Sequence, residues 1–170
     1  MEVRKAQLSD AYALSEVAIK AFIPAHRDSC PPQDLHSYMA SNFNQKKLEE
    51  EMTNSNNTYY VLLDKESIIG YYKINLNLSS TFISSSNVTY MSRLYVLPEY
   101  YDKGLGHKLL VHAIEICKKN KQSGMWLKVW TGNDRAIRFY KKQGFEIRGE
   151  DGFKISETHS NPNYVMHLPF

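Results

Sequence analysis

The sequence predicts one α/β (α+β) domain in which a mixed β-sheet carries helices on its faces. Its 170 residues fit a single domain of residues 1–170, and no linker is long enough to divide them. Strand-like and helix-like patterns follow one another in the order β, helices, β, β, β, α, β, α, β, β. Because strand pairs are mixed with strand–helix–strand units, the sheet is expected to be mixed.

The composition excludes several classes of protein. Hydrophobic residues make up 42% and charged residues 23% of the chain, as in ordinary soluble globular proteins. The net charge of +3 is too small to indicate a nucleic-acid partner. The N-terminal region has no apolar run that would form a signal peptide or a membrane span, so a cytoplasmic location is expected by default. No histidine has metal-ligand spacing, so no metal is expected, and Cys30 and Cys117 are expected to be free thiols.

The N-terminal part begins with a predicted strand at residues 3–6, and Ser9 is the predicted N-cap of the helix that follows. Apolar residues recur on one face of this helix with a helical period, at Leu14, Val17, Ala18, Ala21 and Phe22. Pro24 is expected to end the helix because proline lacks the N–H that the next helical turn needs.

Further prolines and polar caps divide the next segment. Pro31 and Pro32 suit the start of a second helix, and Asn44 suits the N-cap of a short third one. Residues 58–63 and 68–78 are rich in aromatic and β-branched side chains on either side of a turn, which predicts a hairpin.

The C-terminal half alternates strands and helices. Strands are predicted at residues 88–97, 125–130, 145–148 and 164–167. A helix at 104–120 has one apolar and one charged face. A further helix begins at its N-cap Asn133 and ends before Gly144, where a left-handed C-cap belongs.

Two glycines, Gly104 and Gly106, lie between the end of a predicted strand and the start of a predicted helix. Glycine lets the backbone approach a ligand closely, and a helix start offers unpaired N–H groups and a partial positive charge. These features favour an anion such as a pyrophosphate, to which Lys103, His107 and Lys108 would add positive charge. On this segment alone, a plain helix-opening turn explains the glycines equally well, because neither the dinucleotide fingerprint nor the nucleotide P-loop is complete.

A second segment, residues 129–145, decides between these interpretations. Its Asn133 and Tyr140 are about two helical turns apart and so share a face. Together the two segments resemble the GCN5-related N-acetyltransferase (GNAT) superfamily. The first matches the Gln/Arg-x-x-Gly-x-Gly/Ala loop except at its first position, where Tyr101 replaces Gln or Arg. The second matches Asn-x-x-Ala-x-x-Phe-Tyr-x-x-x-Gly-Phe at Asn133, Ala136, Phe139, Tyr140, Gly144 and Phe145.

The resemblance implies the GNAT fold, with a mostly antiparallel central sheet splayed into a V, and acetyl-CoA as co-substrate. In this superfamily the pantetheine arm lies in the gap of the V and pairs with strand backbone, and an N–H near Leu94 or Tyr95 would stabilise the oxyanion. The implied cofactor-binding residues are Leu94, Tyr95, Val96, Tyr101, Lys103, Gly104, Leu105, Gly106, His107, Lys108, Asn133, Ala136, Tyr140 and Lys142. Asn133 would equally serve as a helix N-cap, and Lys142 as part of a solvated helix face.

The resemblance also implies that Tyr140 donates a proton to the leaving thiolate, because a phenol with a pKa of about 10 keeps its proton at neutral pH. The alternative role is that of a core aromatic residue. Many relatives carry a glutamate just before the residue matched by Arg93, but Ser92 stands there. Serine is not a useful base at neutral pH, so deprotonation is expected through ordered water or a carboxylate elsewhere, and Glu99 reads more simply as a surface-loop residue.

The N-terminal half is similar to bacterial spermidine/spermine acetyltransferases of the PaiA type. Scattered residues carry this likeness: Tyr38, Phe43, Leu48, Glu51 and residues 69–75. It implies acetyl transfer to a primary amine of a small polyamine in a ternary complex, and a homodimer is common among such relatives. Residues 49–51, all glutamates, would contact the polyamine or form a solvated helix face. A protein, peptide or other small amine is the alternative acceptor, and a non-catalytic acetyl-CoA-binding regulatory module is the alternative class.

Overall fold

The structure, a computed structural model, describes residues 1–170 and contains one seven-stranded sheet in the order β1-β2-β3-β4-β5-β7-β6. The strands are β1 (Glu2–Lys5), β2 (Thr58–Asp64), β3 (Ser67–Asn75), β4 (Thr89–Val96), β5 (Gly124–Trp130), β6 (Glu146–Lys154) and β7 (Ser160–Pro169). The helices are α1 (Ala11–His26), α2 (Pro32–Asn42), α3 (Gln45–Thr53), α4 (Leu105–Lys119) and α5 (Asp134–Lys142). Neighbouring strands are antiparallel except β4 and β5, which confirms the mixed, mostly antiparallel sheet.

Helices cover both faces of this sheet. Successive side chains of a strand point to opposite faces of the sheet. Tyr71 and Tyr72 of β3 therefore lie on opposite faces, and both are fully buried, so each face is covered at this point. The ring of Tyr71 packs on Tyr95, which contacts Phe22 of α1. The hydroxyl of Tyr72 instead lies 2.7 Å from Nδ1 of His112 in α4. The predicted placement of helices on both faces is therefore confirmed.

Strands β4 and β5 separate soon after they begin. They pair only through Thr89 with Met125 and Tyr90 with Trp126. Beyond these pairs β4 continues to Val96 and β5 to Trp130 without a shared ladder, so the sheet opens into a V. This gap is the splay that the resemblance implied.

Two local predictions about the first helix are wrong. Pro24 lies inside α1, which continues to His26. Pro24 has no N–H, so the carbonyl of Lys20 loses its helical hydrogen bond. Both residues are exposed, so water can bind this carbonyl in place of the missing N–H. Ser9 is not an N-cap, because it lies within a short 3-10 turn at Leu8–Asp10.

The other start signals agree with the observed helices. Proline at 32 opens α2, and the side chain of Asn44 accepts a hydrogen bond from the N–H of Lys47 at the start of α3. Gly144 adopts a φ of 90° just after α5. Both cysteines are free, and Cys117 is fully buried in the core. The hairpin of β6 and β7 is longer than predicted, whereas β3 ends at Asn75, before the predicted position 78.

Candidate active site

The loop between β4 and α4 forms a cradle of backbone N–H groups. Gly104 has a φ of 72°, a left-handed conformation, and a Cβ added there would meet no atom within 4 Å. No backbone acceptor binds the N–H groups of residues 102–107. Because these groups stand free at the positive end of a 15-residue helix, the loop fits an anionic group such as a pyrophosphate.

The basic side chains that were predicted to serve this loop bind other groups. Lys103 donates to the carbonyl of Glu99 (3.2 Å), and Nδ1 of His107 lies 2.8 Å from Oε1 of Gln143. The ammonium of Lys108 donates to the carbonyl of Met1 (2.6 Å), at the far side of the helix start. In this arrangement the cradle depends on its backbone groups.

A cation that the sequence analysis missed lies beside the loop. The guanidinium of Arg135, in the first turn of α5, stacks 3.5 Å from the centre of the Tyr101 ring and 3.5 Å from the carboxylate of Asp102. Tyr101 holds the first position of the loop pattern, where the motif that the sequence resembles has Gln or Arg. Stacking on the Tyr101 ring therefore keeps the positively charged Arg135 guanidinium at this corner of the loop. Tyr101 itself has no positive charge.

The gap between β4 and β5 exposes strand backbone. The N–H of Leu97 donates to Ile69 of β3 (2.9 Å), and backbone groups alternate in direction along a strand. Those of Tyr95 therefore point to β3, whereas those of Leu94 and Val96 point into the gap. Two N–H groups were predicted as oxyanion donors. The N–H of Leu94 points into the gap, as this role requires, whereas the N–H of Tyr95 does not, and Tyr95 lines the cleft with its ring instead.

Helix α5 borders the same gap with three of the predicted residues. The side chain of Asn133 accepts a hydrogen bond from the N–H of Ala136 (3.1 Å), so the N-cap role is present, and both residues line the cleft. Tyr140 also lines the cleft and is 8% exposed, and its hydroxyl has no partner in the protein. Burial raises the pKa of Tyr140, so its phenol is protonated at neutral pH. Lys142 is exposed on the outer side of the helix.

The cleft continues past the gap into a chamber lined by aromatic rings. It encloses about 790 Å³, counting the part that is open to solvent. The aromatic residues in its lining are Phe22, Tyr38, Phe43, Tyr90, Tyr95, Trp130, Tyr140 and Phe153. Its charged lining residues are Arg93 and Lys128, and no Asp or Glu lines it. This half of the site was least visible in the sequence, because its residues come from distant segments.

Arg93 belongs to a partly buried ion network. Its guanidinium donates to Glu51 (3.0 Å) and to the hydroxyl of Tyr59 (2.7 Å), and it lies 4.9 Å from the ring of Phe43. Lys73 also donates to Glu51 (3.0 Å). Glu51 is therefore neither a solvated helix residue nor a free carboxylate for a polyamine, because two cations already compensate its charge.

The outer wall of the chamber joins the two halves of the chain. The ring of Tyr38 in α2 packs against Phe153 in β6, with 5.8 Å between centroids. Nε2 of His159 lies 2.9 Å from the carbonyl of Ser29, in the segment between α1 and α2. The chamber is closed by contacts between the N-terminal helices and the C-terminal hairpin.

No carboxylate stands at the opening of the gap. The side-chain oxygen of Ser92 is buried and has no hydrogen-bond partner, and Glu99 lies exposed in the loop after β4. Nowhere do three His, Cys, Asp or Glu side chains meet in a way that could hold a metal ion. None of the helices is long and apolar enough to cross a membrane.

Comparison with known proteins agrees with this geometry. The family model described as the acetyltransferase (GNAT) family matches residues 19–145. An uncharacterized N-acetyltransferase from Mycobacterium tuberculosis is 27% identical over 159 residues, which cover 94% of this chain and 97% of the relative. A spermidine N(1)-acetyltransferase from Thermoplasma acidophilum is 26% identical over 156 residues, covering 89% of this chain and 92% of the relative.

Solved structures show the same fold. The PaiA N-acetyltransferase from Thermoplasma acidophilum, crystallised with coenzyme A, superposes with a TM-score of 0.80 at 22% identity, covering 99% of this chain and 98% of that one. A putative GNAT acetyltransferase from Desulfovibrio desulfuricans superposes with a TM-score of 0.70 at 14% identity, covering 99% and 98%. The family match, the splayed sheet and the amide cradle lead to one conclusion: the chain belongs to the GNAT family and is an acetyl-CoA-dependent N-acetyltransferase.

Proposed function

We propose that the chain transfers the acetyl group of acetyl-CoA to a primary amine of a small polyamine such as spermidine or spermine. The aromatic chamber beside the gap carries this proposal, because the faces of aromatic rings attract alkylammonium groups. The spermidine N(1)-acetyltransferase of Thermoplasma acidophilum, similar over most of its length, supports it. Recognition would rest on ring faces, since no carboxylate lines the chamber.

The proposed roles of the residues follow from their places along the cleft. The amides of residues 102–107 hold the pyrophosphate, with Arg135 beside them, and the backbone of Leu94 and Val96 pairs with the pantetheine arm. As the amine nitrogen bonds to the carbonyl carbon, the N–H of Leu94 stabilises the developing oxyanion. As the carbon–sulfur bond breaks, the hydroxyl of Tyr140 protonates the sulfur.

A small amine that also carries an anionic group is the second candidate acceptor. The two charged side chains in the cleft lining, Arg93 and Lys128, favour an anion. Both already have carboxylate partners, since Arg93 binds Glu51 and Lys128 binds Asp151 (2.5 Å). An anionic substrate group would have to share these cations, which is why the polyamine stands first.

Release of free thiol from acetyl-CoA tests the proposal. The amines to compare are spermidine, spermine, a lysine peptide, an aminoglycoside and an α-amino acid with a free carboxylate. The proposal expects turnover on the two polyamines at the lowest concentrations. Turnover confined to the amino acid would replace the polyamine by the second candidate, and turnover confined to the peptide would replace both.

A further inference from the structure

One histidine occupies the opening of the gap without an assigned role. His26 is the last residue of α1 and lies beyond Pro24, in the turn that the proline was expected to remove. Its ring stacks on Phe22, with 4.1 Å between centroids, which fixes its orientation along the helix. The continuation of α1 past Pro24 thus places an imidazole in the lining of the cleft.

His26 spans the two strands that separate. Its Nε2 lies 3.5 Å from the hydroxyl of Tyr95 in β4, and its ring centroid lies 6.4 Å from that of Trp130 in β5. The other ring nitrogen, Nδ1, is buried and has no hydrogen-bond partner in the protein. If Nε2 carries the hydrogen toward Tyr95, Nδ1 keeps an unpartnered lone pair, just beneath the surface of a side chain that lines the cleft.

We infer that His26 accepts the proton that the attacking amine loses, an inference that rests on the proposed function. The amine nitrogen forms a bond to the carbonyl carbon of acetyl-CoA while one of its protons passes to the free ring nitrogen of His26. The carbon–sulfur bond then breaks, and the sulfur takes the proton of Tyr140. The imidazolium afterwards gives its proton to water, and the tyrosine regains one, so that atoms and charge balance.

The burial of His26 keeps its ring neutral, which suits a proton acceptor, but also makes the ring a weak base. Burial lowers the pKa of His26 to about 4, so the ring is neutral at pH 7 and able to accept a proton. Such a ring is too weak a base to take a proton from a free alkylammonium ion, so the amine must arrive neutral. The amine nitrogen becomes a much stronger acid once it bonds to the carbonyl carbon, and His26 acts at that stage.

His26→Gln is the first variant, because glutamine keeps a polar side chain of similar length that cannot accept a proton. With spermidine as the amine, the kcat of His26→Gln should be about 100-fold lower than that of wild type, within the range for a lost general base. The Kd for acetyl-CoA should not change. His36→Gln is the matched control, since His36 lies exposed on α2, and it should retain wild-type kcat.

His26→Ala separates proton transfer from a structural role. If the ring only packs against Phe22, added imidazole cannot restore activity, whereas a lost proton acceptor should be replaced in part by free imidazole in the vacated space. A kcat of His26→Gln within twofold of wild type would overturn the inference. So would a raised KM for spermidine without imidazole rescue of His26→Ala. Wild-type protein that binds acetyl-CoA but turns over no amine would overturn the proposed function and the role of His26 with it.

Discussion

The guanidinium of Arg135 lies 3.5 Å from the centre of the Tyr101 ring, at the corner of the loop that opens α4. Tyr101 stands at the first position of the loop pattern, where the GNAT motif has Gln or Arg, and Arg135 comes from the next helix along the chain. A guanidinium from α5 thus lies at the corner of the loop where the motif has Gln or Arg.

This pair predicts an effect on acetyl-CoA binding. Arg135→Gln should raise the Kd for acetyl-CoA about three- to tenfold, as expected for the loss of a partly exposed charge near a phosphate. Isothermal titration calorimetry of the variant measures this change. Arg138→Gln, at another exposed position of α5, is the control and should leave the Kd unchanged. Equal Kd values for both variants would exclude Arg135 from the phosphate site.

A side chain at position 104 should cost conformational free energy without a steric clash. Its φ is 72°, and an added Cβ would meet no atom within 4 Å. Gly104→Ala should therefore lower the free energy of unfolding by about 1 kcal/mol, the cost of a left-handed residue with a Cβ. Gly104→Asn should lose less, because asparagine tolerates this region better. Chemical denaturation compares the two; an alanine variant as stable as wild type would show that the loop relaxes to another conformation.

Tyr140→Phe tests the proton donor. Removal of the hydroxyl should lower kcat about 100-fold, because the leaving sulfur then lacks its acid, while the ring still fills its place beside Phe139 and Phe145. Steady-state kinetics with spermidine and a binding measurement for acetyl-CoA give the two readouts. Unchanged kcat would assign Tyr140 to the core alone.

Glu51 predicts a pH-dependent contribution to stability. Burial alone would raise its pKa, but Arg93, Tyr59 and Lys73 together hold it below the usual value of 4.5. A group whose pKa is lowered in the folded state stabilises the protein above its unfolded pKa and loses this contribution as the pH falls through the folded value. Glu51→Gln leaves two mostly buried cations without their carboxylate and should cost about 2–4 kcal/mol at pH 7.

Urea denaturation at a series of pH values checks this sign. The difference in unfolding free energy between wild type and Glu51→Gln should be constant near neutral pH and shrink below about pH 4.5. Glu50→Gln, an exposed neighbour, is the matched control and should differ little from wild type at any pH. A difference that grows on acidification would contradict the assigned direction of the shift.

The backbone geometry of the proposed acetyl-CoA site was predictable because local rules fix it. Gly104 is required by a left-handed turn, and Asn133 by the cap that its side chain forms with Ala136. Both signals lie within a few residues of the structure that they produce. The same holds for the strand–helix–strand order, which fixes where β4 and β5 run side by side.

The acceptor half escaped prediction because its residues gain their roles from distant partners. In sequence, Glu51 is the third of three consecutive glutamates on a short helix. Only the neighbouring strands, which supply Lys73 and Arg93, make it a mostly buried, ion-paired residue. His26 was missed for a related reason. Pro24 was expected to end α1 before His26, because proline frees a carbonyl from its helical hydrogen bond. Here that carbonyl belongs to the exposed Lys20 and can bind water, so the helix continues to His26.

The contacts that close the outer wall of the aromatic chamber have a consequence for how the molecule folds. Ser156 bonds to Asp34 across 122 positions of chain, and His159 bonds to Ser29 across 130. Loop closure over such separations costs entropy that the local unit of α4, β5 and α5 does not incur. The cradle for acetyl-CoA should consequently assemble early, and the amine chamber should be the last part to form and the first to open under denaturing stress.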